Sequence, residues 1–167
     1  RGRAGALGTA SRIDSLFLER AMLGANEKLS ILSSEASIGS PIMTDGSAFF
    51  QLQEEFRAAF ENTIIDMPRN MLINYPQLLV DVNVIVLVCE MTLASARDTI
   101  RILAWLRSNA QHCRVILVAN KVQSSNVEIT RKDFEASIEC SIDLMIPADA
   151  KAAANAAKLG QPLIQAA

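Results

Sequence analysis

The chain has one histidine, three scattered cysteines, few aromatics, no basic excess and no apolar run long enough to cross a bilayer. Each shortage excludes something. With His112 alone and no Cys-x-x-Cys pair among Cys89, Cys113 and Cys140, a zinc site lacks its ligands. An odd, dispersed set of cysteines is no disulfide framework, and it points to a reducing compartment, the cytoplasm. Aromatics make up 5%, and Trp105 and Tyr75 are too isolated to form a stacking platform. A net charge of −2 argues against a nucleic-acid platform, which gathers positive charge on one face. No secretory leader is expected, and the longest apolar run, residues 82–89, is the length of a strand. Nowhere does a glycine-rich loop end in Gly-Lys-Thr/Ser.

What remains is a globular composition, 50% apolar and 20% charged over 167 residues, enough for one domain with a full core. Short apolar runs alternate with longer helical periodicities, the pattern of βαβ units and of an α/β fold with a mostly parallel sheet. Helices are expected over residues 12–23, opened by a Ser11/Asp14 cap, and over 47–60, 93–107, 130–138 and 149–159, the last stopped by Gly160 and Pro162. Strands are expected over 29–33, 63–66, 82–89, 114–120 and 143–146, with a Gly/Ser/Pro loop at 37–41. The continuous apolar strands require helices on both faces of the sheet. Leu93, Ala96, Ile100, Leu103 and Leu106 form the inward stripe of the third of the five helices. No internal repeat or linker divides the chain, so residues 1–167 are expected to form a single domain.

In such sheets ligands bind beyond the carboxyl ends of the strands. That directs attention to Asp66-Met67-Pro68, Glu90-Met91-Thr92, Asn120-Lys121 and Pro147-Ala148-Asp149. An Asp that ends a strand can hold a magnesium-bound water opposite nucleotide phosphates, although strand ends also carry Asp for ordinary turns. An Asn at such an end can both donate and accept, which suits a purine edge, and it is equally a turn former. Asp149 is a helix cap by its position. Lys121, Lys151 and Lys158 read as solvated surface charges, and Ser95, Arg97 and Asp98 as residues opening a helix.

Together these residues say more. Asp66 and Pro68, then Asn120, then Ile146-Pro147-Ala148-Asp149, follow the order seen in MinD/ParA-type ATPases, which this chain resembles. Residues 12–21 (RIDSLFLERA), residues 92–99 (TLASARDT) and residues 146–163 are similar to the CpaE/TadZ branch, the MinD-like proteins of Flp/Tad type IV pilus assembly. The likeness runs from about residue 12 almost to the end. It implies a three-layer, Rossmann-like P-loop NTPase fold. It also implies Asp66 as the catalytic magnesium-water residue of a second switch, with Pro68 beside it. Asn120 would contact adenine, with Pro147 and Asp149 at the base rim. ATP and Mg²⁺ are the implied cofactors, a homodimer and the pilus secretion machinery the implied partners. The implied location is cytoplasmic, at a cell pole or the inner-membrane face through partners, without a transmembrane segment or nucleic acid.

The departure is the phosphate loop. The family opens with a strand and a deviant Walker A loop, whereas Gly2, Gly5 and Gly8 lie in an Arg/Ala-rich stretch that matches the region after the family's second strand. The chain is therefore expected to be truncated at its N-terminus, and by itself neither to bind nor to hydrolyse ATP. Without the phosphate-loop strand it should be marginally stable or should oligomerise. Two other functions remain open: a non-catalytic localisation scaffold of the same family, and a phosphorylated receiver module built on Asp66, Thr92 and Lys121. The receiver reading lacks the paired carboxylates that would hold magnesium after its first strand, where only Ser34 and Glu35 follow residues 29–33.

Overall fold

The computed structural model describes residues 18, 20–33, 46–123 and 128–166. Most of the helix expected over 12–23 and all of the loop at 37–41 lie outside them. Contacts divide the chain into two compact units, residues 1–81 and 82–167.

In the first unit, strands β1 (Leu23–Asn26) and β2 (Leu29–Ile31) form an antiparallel hairpin. Its turn is tightened by Asn26 Oδ1, which accepts the Lys28 amide at 2.8 Å, a local Asx bond that needs this residue type. Helix α1 (Gly46–Ala59) buries Leu52 and Phe56, which cluster with Leu18. Their spacing of four residues places them on one face. Arg57 near the end of α1 bridges Glu54 and Asp81, and the Asp81 bond raises its already high pKa. Short helix α2 (Arg69–Asn74) and a 3-10 turn (Pro76–Leu79) follow, with Leu78 and Leu79 buried. Most of the stretch after Asp66-Met67-Pro68 is thus helical.

One expectation fails here. Residues 63–66 form no strand, and Ile64 is 95% exposed. Apolar, β-branched composition supplies propensity only; a strand exists when its amides and carbonyls meet a partner ladder, and among the described residues this segment pairs with none.

The second unit is the parallel sheet. Strands β3 (Val84–Glu90), β4 (Arg114–Val122) and β5 (Leu144–Pro147) lie in that order, all parallel. Helix α3 (Leu93–Asn109) connects the first pair and α4 (Arg131–Ile138) the second. Helix α5 (Ala150–Leu159) ends at Gly160, whose left-handed φ of 61° costs a glycine little, and α6 (Leu163–Ala166) closes the chain.

Alternation along the strands sorts the faces. Leu87 and Cys89 of β3 and Val115, Leu117 and Ala119 of β4 meet Ala96 and Leu103 of α3 and Phe134 and Ile138 of α4 in one cluster. On the opposite face of β3, Val84, Val86 and Val88 are 45%, 56% and 57% exposed. The buried stripe of α3 is Ala96, Thr99, Leu103 and Leu106, while Leu93 and Ile100 are 60% and 43% exposed. Thr99 thus occupies the position expected of Ile100, because a step of one residue turns the helix about 100° away from the sheet. Cys89 lies in this core, and burial raises its thiol pKa. Its native role is that of a small hydrophobe.

Helix α4 is fixed at both ends by polar contacts. Thr130 Oγ1 accepts the Asp133 amide at 3.2 Å and donates to Asp133 Oδ2 at 2.6 Å. Replacing Thr130 with alanine is expected to cost about 1 kcal/mol, measured by urea unfolding. Glu135 Oε1 accepts the Ile142 amide at 2.8 Å and the Arg131 Nε at 3.0 Å. The Ile142 amide first, and Arg131 second, hold the Glu135 carboxyl below its ordinary pKa. Its contribution to stability is therefore present above the unfolded-state pKa of about 4.3 and is lost as pH falls through the lower folded value. Unfolding titrations should show that Glu135→Gln flattens the acid limb below about pH 4.3 relative to the native protein.

Candidate functional site: the carboxyl edge of the parallel sheet

The register of β3 and β4 sets Glu90 directly beside Asn120, at the carboxyl ends of both strands. Beyond that point β4 departs from regular geometry. Pairing with β5 shifts between Ala119 and Val122, and Lys121 takes a left-handed backbone with φ of 53°. For a lysine that conformation costs on the order of 1–3 kcal/mol. The Lys121 amide donates to Asn120 Oδ1 at 2.9 Å. The Lys121 side chain crosses to β3, where Nζ meets Glu90 Oε1 at 2.6 Å. With side chains 67% and 49% exposed, that ion pair contributes at most about 1 kcal/mol. The neighbouring strand resumes its ladder at Val122, which pairs with Pro147 and accepts the Ala148 amide at 2.9 Å.

The loop after β3 is built for order. The Glu90 amide donates to Ser95 Oγ at 3.1 Å, and Thr92 Oγ1 accepts the Ser95 amide at 3.1 Å as the cap of α3. Thr92 is therefore occupied as a helix cap. After β5, Asp149 caps α5 by accepting the Ala152 amide at 2.8 Å.

Of the residues singled out from sequence, Asn120 and Pro147 stand at the ends of β4 and β5, and Asp149 starts the helix two residues beyond Pro147. Asp66 and Pro68 belong to the first unit. Asp66 is exposed in an irregular segment, and Pro68 is the residue that precedes α2, with an extended ψ of 144°. Sequence reasoning treated Lys121 as a solvated charge and gave Glu90 no role; the structure pairs them. The available signal was that both follow apolar runs at strand ends, as Asn120 does.

The edge thus carries the Asn120 carboxamide, the paired Lys121 and Glu90 charges and the Asp149 carboxylate. Among the described residues no group of His, Cys, Asp and Glu side chains could cage a metal. Among the same residues no helix is long and apolar enough to cross a membrane.

No family model matches this chain, and no curated protein matches it in sequence. Among solved structures it is similar to the ParA family ATPase from Chlorobium tepidum TLS, with a TM-score of 0.85 at 18% identity. The match covers 98% of this chain and 67% of that one. The likeness establishes architecture: this is an α/β protein with the Rossmann-type fold of the MinD/ParA ATPases.

Proposed function

We propose that the chain is part of a MinD/ParA-like ATP-dependent switch, and within that superfamily of the CpaE/TadZ kind that helps assemble and position the Flp/Tad pilus secretion machinery. The observation that carries the nucleotide reading is the placement of Asn120, Pro147 and Asp149 at the carboxyl ends of adjacent parallel strands, in a fold shared with a ParA family ATPase. The finer assignment rests on the sequence resemblance of residues 12–21, 92–99 and 146–163.

In this reading residues 1–167 are one portion of an ATPase domain. Asn120 meets the adenine edge, while Pro147 and Asp149 line its rim. Asp66 and Pro68 form the second switch, with the Asp66 carboxylate holding a water on the magnesium that ATP brings. The nucleotide stabilises a homodimer, and the switch acts at the cytoplasmic side of the inner membrane or at a cell pole through protein partners.

Equilibrium binding of Mg-ATP to the natural protein tests the site. Asn120→Ala is expected to weaken binding about tenfold, the value of one base-edge hydrogen-bonding group. Asp66→Ala is expected to reduce the magnesium dependence of binding. Unchanged affinity and unchanged magnesium dependence in both variants would remove the assignment. For the pilus role, deletion of the gene should abolish Flp-type surface pili, and normal piliation would exclude it.

A further inference from the structure

We propose that the free edge of β3 is where a second copy of this chain docks, as an antiparallel strand related by a two-fold axis at Val86. Among the described residues β3 pairs with β4 alone, so its other edge is the end of the sheet. One bond fixes the direction of the backbone groups. The Asn83 carbonyl accepts the Arg114 amide at 2.9 Å, so Asn83 faces β4. Successive residues of a strand point their backbone groups to opposite sides. Ile85, Leu87 and Cys89 therefore also face β4, while Val84, Val86 and Val88 direct both N–H and C=O outward. Glu90 ends the row, because its amide donates to Ser95 Oγ.

The same three valines leave their side chains 45–57% exposed, on the face away from α3 and α4. Apolar, β-branched residues beside a continuous row of unpaired backbone groups form a template for another strand. The other strand edges are poorer templates. β5 has four residues and ends in Pro147, which has no N–H. The β1–β2 hairpin is short and its register shifts between Gly24 and Asn26.

A second copy supplies what the β3 edge requires. With the axis at Val86, that residue faces its own counterpart, and Val84 of each copy faces Val88 of the other. All three pairs consist of outward-directed residues, so each exchanges two N–H···O bonds. Directly opposite side chains share a face, where β-branched pairs pack well. Charge agrees with this register. Glu90 stands opposite Val82 rather than another carboxylate. Arg114, which is exposed, lies beside Val84 and so on the same face as Glu90. Standard strand spacings put its Cα about 12 Å from that of Glu90 in the other copy, within the joint reach of the two side chains. The symmetry gives this contact twice, once at each end of a six-stranded sheet. The pairing needs no nucleotide, so it stands apart from the ATP-stabilised homodimer above.

A single pair of strands is small beside the roughly 1,200–2,000 Å² of stable complexes, so the association is expected to be micromolar or weaker. Sedimentation velocity of the full chain, residues 1–167, without nucleotide should therefore show a dimer that grows in between about 2 and 200 μM. Val86→Lys opposes like charges at the axis and should weaken the dimer at least about tenfold with far-ultraviolet dichroism unchanged. Val86→Pro removes an outward N–H, which an edge strand tolerates, and should have the same effect. In the native chain the Val84, Val86 and Val88 amides should gain protection from exchange as concentration rises, while Ile85 and Leu87 stay protected throughout. That measurement needs no variant, so it decides the question even where a variant fails to fold. A chain that stays monomeric at about 200 μM would overturn the proposal. So would a dimer that both variants leave intact, or one in which the three valine amides stay unprotected. Valine amides protected equally at every concentration would also overturn it, by showing that another segment of the chain fills the edge.

Discussion

Truncating Phe134 to alanine should destabilise the second unit by about 3–5 kcal/mol. Phe134 is fully buried on α4, in the cluster where α3, α4 and the central strand β4 meet. Its neighbours there include Leu117 and Ala119, both 0% exposed, so the backbone beneath the ring belongs to the best-covered strand of the sheet. A helix of eight residues held by its caps cannot slide far to fill the space, and the cavity term adds to the lost transfer energy. Native proteins are stable by about 5–15 kcal/mol in all, so the loss is a large share of the total. Trp105, the sole tryptophan, lies on α3 in the same unit and reports the transition by fluorescence in urea. A shift worth less than about 1 kcal/mol would mean that α4 is not packed as described.

Replacing Asp143 with alanine should cost about 1.5–3 kcal/mol, while asparagine should recover most of that loss. Asp143 precedes β5 and extends the ladder before regular pairing begins. Its Oδ2 accepts the Leu117 amide at 2.7 Å, and its own amide donates to the Leu117 carbonyl at 2.9 Å. Leu117 is wholly buried, so its orphaned amide would have no ready solvent to replace the carboxylate. Asparagine retains an accepting oxygen, which separates loss of the hydrogen bond from loss of charge. Amide exchange supplies the local readout: the Leu117 proton should exchange faster in Asp143→Ala than in Asp143→Asn. Equal exchange in both variants would show that the side-chain bond does not protect it.

The second unit was largely legible in the sequence because its signals agree with one another. The runs at 84–90 and 114–122 are continuous, apolar and β-branched, and each is followed by a cap and a helical period. Thr92, Thr130 and Asp149 mark helix starts by chemistry that is local and short-ranged. The first unit was harder. Residues 63–66 have strand composition, but a strand is a relation between segments, and composition does not supply the partner. The β1–β2 hairpin was half visible, since Leu29–Ile31 carries apolar side chains while β1 contains Gly24 and Asn26, poor strand formers.

The candidate site divides in the same way. Asn120, Pro147 and Asp149 could be placed because each is the first polar or breaking residue after an apolar run. The kink at Lys121 had no signature. Left-handed residues are usually announced by Gly, Asn or Asp, and a lysine there is intelligible only once the strand register around it is known. The Glu90 contact is likewise a product of parallel register, joining residues far apart in the chain.

The claim that the carboxyl edge of β3, β4 and β5 receives a nucleotide base is tested most directly by amide chemical-shift mapping of the natural protein during titration with Mg-ATP. The account predicts saturable shifts at Asn120, Lys121, Ala148 and Asp149, with Arg114 and Val84 at the opposite edge unmoved. Saturable binding that shifts the opposite edge and leaves Asn120 and Asp149 in place would contradict it.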